Sequence, residues 1–227
     1  GQSGQQISPM MDMDAQSFAE QFAISRETMV HLTTYQALLG KWQKSVNLVG
    51  PSTLAQYWHR HAADSAQIIE LAPKSALVWL DIGSGAGFPG LILALLLAER
   101  SVEGAPCHVH LVESDRKKVS FLRAVIRDTG PPATVHHMRI EALSEARPEP
   151  LRQVDVITAR ALAPMQGLAG FMAPFFNSST IALLHKGRDR QEELNQAATY
   201  WKLDTIAHPS RTDAQARLIE IRALSAR

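Results

Sequence analysis

Apolar residues recur at spacings of three and four between about residues 14 and 72, through Phe18, Phe22, Met29, Leu32, Tyr35, Leu38, Leu39 and Trp42. Stripes of this period predict amphipathic helices, and Ser25 followed by Thr28 reads as a helix start. Val49-Gly50-Pro51-Ser52 interrupts the pattern, and a further helix is predicted over residues 53–71, ahead of Pro73. Beyond Pro73 short apolar runs alternate with helical ones. Strands are predicted at residues 77–82, 108–113, 134–140, 154–159 and 180–185. Helices are predicted at 91–100, 115–128, near Glu141, at 164–176 and at 189–201, and strands 203–208 and 217–223 close the chain as a hairpin-like pair. Alternation of this kind implies right-handed crossovers and a mostly parallel sheet with helices on both faces. The predicted architecture is therefore α/β and Rossmann-like with an N-terminal helical extension, and ending on two adjacent strands suits the variant of this fold that carries an antiparallel strand at one edge of the sheet. Residues 1–13 read as a disordered tail, 14–73 as the helical region and 74–227 as the sheet domain.

Between the first predicted strand and the helix after it lies Leu80-Asp-Ile-Gly-Ser-Gly-Ala-Gly-Phe-Pro-Gly90. Glycines in such a turn let backbone approach a ligand where a Cβ would collide. Asp81, two residues before Gly83, completes D-x-G-x-G-x-G, the usual first motif of S-adenosylmethionine-dependent methyltransferases. Residues 85–90 also match the G-x-G-x-x-G dinucleotide fingerprint, in which a pyrophosphate rests on the helix N-terminus. Pro89 before Gly90 instead suits the first turn of a helix, where an amide donor is dispensable. A carboxylate at Asp81 favours a sulfonium and an amino group over a pyrophosphate. A glycine-rich turn without any ligand is the plain alternative.

Ligands of an open parallel sheet bind beyond the carboxyl ends of its strands, and each predicted end carries a suitable group. Glu113 could accept hydrogen bonds from both hydroxyls of a ribose, its long separation from the glycines being taken up by a helix and a loop at 103–106. Ile140-Glu141 could flank an adenine, Arg160 faces the cleft, and Lys186-Gly187 stands on the same rim. Each alone is more often a surface charge; together they define a candidate site.

Composition narrows the picture. The 227 residues suit one large domain or an α/β domain with a smaller appendage. The longest apolar stretch, residues 91–98, is too short to cross a bilayer, and no signal peptide is visible at the N-terminus. A lone cysteine, Cys107, excludes an intrachain disulfide, and His59 has no metal-ligand company, so no metal site is expected. These features point to the cytoplasm. A net charge of +1 advertises no nucleic acid globally, yet residues 41–61 hold Lys41, Lys44 and Arg60 without an Asp or Glu. A local basic face suffices to meet phosphates, although a solvated surface fits the charges equally. Trp42, Tyr57 and Trp58 read as packing residues, and His136 and His137 as strand residues without catalytic duty.

The chain resembles the bacterial 16S ribosomal RNA guanine-N7 methyltransferases, the glucose-inhibited division protein B family, from about Leu38 to Lys186. The resemblance is carried by Trp42…Asn47-Leu48, Arg60-His61-Ala-Ala-Asp64-Ser65 and the loop from Asp81 to Gly90. It continues through Leu111-Val-Glu-Ser, Lys117-Lys118…Phe121-Leu122, Arg139-Ile140-Glu141, Arg160-Ala161 and Lys186-Gly187. It implies cofactor contacts at Gly83, Phe88, Ile140, Glu141 and Arg160, with Gly85 and Glu113 joining them from the loop and strand-end arguments. Where that family tends to have Trp-Asn this chain has Trp42-Gln43, and Leu48-Val49-Gly50 departs from its usual Leu-Thr. The implied reaction moves a methyl group from S-adenosylmethionine to guanine N7 in a loop of 16S ribosomal RNA, by in-line displacement without a general base. The implied partner is that RNA or the small ribosomal subunit, with no membrane and no demand for a dimer. Lys41, Lys44, Arg60, His61 and Lys186 are the candidates for phosphate contact; for Arg60 and Asp64 an i, i+4 structural ion pair is the competing expectation. A same-fold methyltransferase of small molecules or proteins, a nicotinamide-binding protein and a non-catalytic RNA-binding module remain the rival readings.

Overall fold

A computed structural model describes residues 12–101, 105–160 and 163–227. Of the expected disordered tail only Asp12 and Met13 are described, and Glu103, Gly104 and Ala161 also lie outside the described residues. The chain begins with α1 (Ala15–Phe22) and α2 (Arg26–Gln43). Asp14 caps α1 by accepting from the Ser17 amide at 2.8 Å, and Ser25 caps α2 through the Thr28 amide at 3.2 Å, as its sequence suggests.

The helix predicted over 53–71 is broken. A turn of α3 (Pro51–Leu54) leads to a π-helical stretch, Tyr57–Ala63, and then to α4 (Asp64–Ala66) and α5 (Ile68–Leu71). The cause lies in the side chains: Tyr57, Trp58, His59, His61, Ala62 and Ala63 are all buried. A regular α-helix would turn one of these outward, whereas the wider π turn keeps them facing the interior.

The sheet has seven strands in the order β3-β2-β1-β4-β5-β7-β6. They are β1 (Val78–Ile82), β2 (His108–Glu113), β3 (Ala133–His137), β4 (Val156–Arg160), β5 (Ile181–Lys186), β6 (Trp201–Pro209) and β7 (Arg217–Ala226). The first five are parallel; β7 runs antiparallel to both β5 and β6. The antiparallel strand thus lies at this end of the sheet, one place in from its margin. Strand three ends at His137, so Ile140, expected at a strand end, instead opens a helix after the extended Arg139. Trp201 belongs to β6 and not to the preceding helix.

Helices cover both faces. α6 (Gly90–Ala98) follows β1 and is buried on every side from Gly90 to Leu97. A helix that is apolar all round needs cover on all sides, and the N-terminal layer supplies it, since α2 and α4 pack over α6. α7 (Arg116–Thr129) joins it on this face, Phe121 meeting Tyr35 and Trp42 at ring separations of 6.2 and 5.8 Å. α8 (Ile140–Ala146), α9 (Met165–Met172) and α10 (Arg190–Ala197) complete the other face around Leu80, Ile82, Ile157 and Leu184. Among the described residues no helix is long and apolar enough to cross a membrane.

Gly87 shows how tightly the N-terminal layer is seated. Its φ of +94° suits glycine, and a Cβ there would lie 2.4 Å from the Tyr35 hydroxyl and 2.8 Å from Leu91 Cδ1. Gly87→Ala is therefore expected to destabilise the fold by about 2 kcal/mol or more, from strain and overpacking together. Chemical denaturation would read this, and a variant as stable as the wild type would contradict the seating.

Candidate cofactor and substrate site

The glycine loop is pinned before it reaches any ligand. The Gly83 and Ser84 amides donate to the Val112 carbonyl at 3.0 and 3.2 Å. Glu113, at the tip of β2, accepts from the Gly85 amide with Oε1 and from the Asp115 amide with Oε2, both at 2.8 Å. One carboxylate so joins the loop to the start of α7.

Asp81 does not face the cleft. It lies buried beneath the loop, with Oδ1 accepting from the Thr158 hydroxyl at 2.7 Å. Its Oδ2 has no hydrogen-bond partner among the described residues, and Gly90 leaves room for it: a Cβ there would come within 2.6 Å. Burial pushes its pKa up to about 6, against the pull of the Thr158 hydrogen bond. The expectation that this carboxylate approaches a sulfonium gives way to a structural role behind the glycines.

Phe88 anchors the loop at its far end. Its ring stacks on Tyr35 at 5.3 Å and 11° and on His61 at 4.6 Å and 13°. Tyr35 also donates its hydroxyl hydrogen to the Ala86 carbonyl. Arg160, at the tip of β4, lies with Cζ 5.9 Å from the Phe88 ring centroid. Its Nε is 3.5 Å from Asp64 Oδ2, its Nη2 donates to the Arg60 carbonyl at 3.2 Å, and its Nη1 is 3.3 Å from His61 Nδ1.

The protonation states follow from these neighbours. Burial, reinforced by Arg160, lowers the His61 pKa to about 3, so the imidazole is neutral at pH 7. Burial works to raise the Asp64 pKa, but His185, Arg160 and the Thr212 hydroxyl outweigh it and hold the carboxyl below its ordinary value.

Two cavities open on this framework and meet at Gly83. One, of about 140 Å³, is walled by Gly83, Glu113, Ile140, Glu141 and Phe171. The other, of about 340 Å³, is walled by Gly83, Gly85, Phe88, His61, Lys118 and Arg160. All of the residues singled out for the cofactor, namely Gly83, Gly85, Phe88, Glu113, Ile140, Glu141 and Arg160, thus line one space or both.

The residues singled out for phosphate divide differently. Lys41, Lys44 and Arg60 are exposed. His61 is buried in the stack on Phe88, with Nε2 2.9 Å from Thr53 Oγ1. Lys186 is buried too, its Nζ donating to the Ala163 carbonyl and pairing with Glu193, each at 2.9 Å. Neither is a free surface cation. Asp64 pairs with Arg160 in place of the expected Arg60, whose side chain points to solvent.

Sequence reasoning missed several members of the site. Lys118 stands in the larger cavity wall, and its neighbour in the Lys117-Lys118 pair was the visible signal. Gln43 shapes the same wall: its Oε1 accepts from the Leu48 and Val49 amides at 3.1 Å, and its Nε2 donates to the Val49 carbonyl at 2.8 Å. The departures at Gln43 and at Leu48-Val49-Gly50 are therefore one feature, a side chain that clasps the turn it faces.

The raised Asp81 pKa carries a sign. The folded protein holds this proton more tightly than the unfolded chain, so the stabilisation is complete below about pH 4 and is lost as pH rises through about 6. Relative to Asp81→Asn, the wild type should lose roughly 2–4 kcal/mol of stability between pH 4 and 8. Urea unfolding of both proteins across that range measures the difference, and parallel curves would contradict the burial.

Both the sequence and the fold have known relatives. The family described as rRNA small subunit methyltransferase G matches residues 28–220. The Parvibaculum lavamentivorans protein named "Ribosomal RNA small subunit methyltransferase G" is 46% identical over 212 residues, spanning 93% of this chain and 90% of that one. The protein of that name from Caulobacter vibrioides is 40% identical and spans 96% of each chain. Among solved structures, a putative O-methyltransferase from Klebsiella pneumoniae superposes with a TM-score of 0.59 at 11% identity, over 92% of this chain and 96% of that one. A variant of MtNAS in complex with S-adenosylmethionine gives 0.52 at 13% identity, over 92% and 84%. At such identities these two structures speak for the fold alone, whereas the match along the sequence is specific: the chain belongs to the rRNA small subunit methyltransferase G family.

Proposed function

We propose that this protein methylates N7 of a guanine in a loop of 16S ribosomal RNA, in the cytoplasm, with S-adenosylmethionine as methyl donor. The observation that carries this reading is the meeting of the two cavities at Gly83. The smaller has the make-up an adenosine needs: apolar Ile82, Ile140 and Phe171 for a flat purine, and Glu113 beside them for a ribose. Glu113 spends one lone pair of each oxygen on a backbone amide, and a carboxylate has about four such sites. Two remain for the sugar hydroxyls. Glu141 reaches the same cavity for the exocyclic amine. The larger cavity takes the methionine end and the target base.

When bound, the donor supplies a methyl carbon bearing a positively charged leaving group, and N7 attacks it with its free lone pair as the carbon–sulfur bond breaks. That lone pair is available at neutral pH, so no side chain has to remove a proton. Positive charge moves onto the purine, and an unpaired cation beside N7 would oppose it. Two of the basic side chains in this wall respect this, because His61 is neutral and Arg160 is paired with Asp64, and Lys118 is left to meet an RNA phosphate. Catalysis then rests on aligned approach and exclusion of water, which can supply on the order of 7–11 kcal/mol. Arg160 binds, through the donor's carboxylate or an oxygen of the RNA.

In A-form RNA the groove that holds N7 is deep and narrow, so the target is a loop or splayed base. Lys41, Lys44 and Arg60 stand exposed to meet its phosphates, and Lys118 joins them in the cavity wall. His61 and Lys186 serve the interior instead.

Incubating small ribosomal subunits that lack the modification with tritiated donor should label the RNA, and nucleoside digestion should yield 7-methylguanosine. Label in proteins or metabolites with none in RNA would overturn the reading. Arg160→Ala should raise the dissociation constant of donor or RNA by about tenfold or more, as loss of a charged hydrogen-bonding group does. Unchanged binding and rate would remove Arg160 from the site.

A further inference from the structure

Asp64 gathers side chains from three distant parts of the chain. Arg160 Nε from β4 stands 3.5 Å from Oδ2, His185 Nε2 from β5 stands 3.4 Å from the same oxygen, and Thr212 donates to Oδ1 at 2.6 Å. Its backbone carbonyl also accepts from His185 at 2.9 Å. Yet Asp64 lines neither cavity that meets at Gly83. Of the residues that line that space, Arg160 is the one whose side chain it pairs with.

The guanidinium is held on three sides. Of its five N–H groups, one faces Asp64, one the Arg60 carbonyl and one His61 Nδ1. An acceptor at His61 Nδ1 requires the ring hydrogen on Nε2, where the Thr53 hydroxyl receives it. Two N–H groups are left, one on each terminal nitrogen, and they approach a ligand in the orientation that these three partners fix, Asp64 being the only charged one. An arginine freed from such partners regains several rotamers, and each must be given up again on binding.

The loop between β6 and β7 fixes Asp64 in turn. Besides Thr212, Arg211 donates its amide to Gln67 Oε1 at 2.8 Å and pairs with Glu70 at 2.9 Å, and the Thr212 carbonyl lies 3.0 Å from His59 Nε2. These bonds seat the loop along the whole π-helical and α4–α5 stretch.

We propose that Asp64 is a positioning residue for methyl transfer, aiming the Arg160 guanidinium from outside the cavity, and that the β6–β7 loop holds Asp64 in register through Thr212. The proposal rests on the reading of Arg160 as a ligand of donor or RNA given under Proposed function. It distinguishes Asp64 from a residue that merely stabilises the fold, because its effect must pass through one guanidinium.

The test is a double-mutant cycle on methyl transfer to unmodified small ribosomal subunits, with thermal unfolding and S-adenosylhomocysteine binding measured on each variant. Asp64→Asn keeps an acceptor for Thr212 but removes the charge facing Arg160. It is expected to lower kcat/KM by about 10- to 100-fold, the scale of a misplaced binding group. Thr212→Val, remote from the cavity, is expected to cost about 3-fold, the scale of one hydrogen bond. Arg160→Lys keeps a cation but not the planar fork; in that background neither second change should cost more than about twofold. Equal losses in the arginine and lysine backgrounds would overturn the proposal and leave Asp64 a structural residue, as would a folded Asp64→Asn enzyme of full activity. Should Asp64→Asn fail to fold, Thr212→Val in the two backgrounds decides alone. Arg160→Lys with unchanged kcat/KM and unchanged S-adenosylhomocysteine binding would instead bring down the reading of Arg160 itself.

Discussion

The packing of Phe88 between Tyr35 and His61 is the contact on which the rest of the site depends. Phe88 ends the glycine loop, Tyr35 belongs to α2, and His61 belongs to the π-helical stretch. One ring therefore fixes the loop against both parts of the N-terminal layer. Stacked aromatic pairs contribute roughly 0.5–1.5 kcal/mol each beyond their burial, and here the stack also sets geometry. Arg160 lies against the same ring, so the cleft, its cover and its fixed cation share one point of reference.

The N-terminal layer is thereby more than an appendage. α6 is too apolar to face water on any side, and a plain α/β sheet would leave its outer surface bare. Covering it with α2 and α4 satisfies the hydrophobic demand, while the α3 and π-helical stretches between them bring Thr53 and His61 to the cavity wall and Gln43 holds the turn that lines it. Burial and site construction are served by the same N-terminal layer. This also explains the π turn: the residues from Tyr57 to Ala63 must pack inward while delivering His61 to Phe88 and the Arg60 carbonyl to Arg160.

The succession of strands and helices, and the groups at the strand ends, were legible because they follow from alternating periodicity and from one rule about parallel sheets. That is why Glu113, Ile140, Glu141 and Arg160, far apart in sequence, could be named together and are found around two cavities that share Gly83. What stayed hidden is pairing across the fold. Lys186 looks like a rim cation, yet Glu193 from the next helix claims it. His61 looks basic, but burial makes it neutral. Asp64 lies four residues from Arg60, a spacing that suggests a helical pair, and the π turn sends it to Arg160 instead. Asp81 shows the same limit: its motif announces a site, while its depth beneath the loop is set by Thr158 and Gly90, which no local pattern connects to it.

The bond between Asp64 and Thr212 spans 148 positions of sequence, and it orders events during synthesis. Helices and the first five strands can form as the chain emerges, since each crossover packs on what precedes it. The clasp on the guanidinium cannot close until the closing hairpin has left the ribosome and docked. A nascent chain halted before that hairpin carries the glycine loop and its acidic neighbour, yet lacks the last constraint on its arginine. On the positioning role proposed for Asp64, the aim of that arginine is the part of the site completed last.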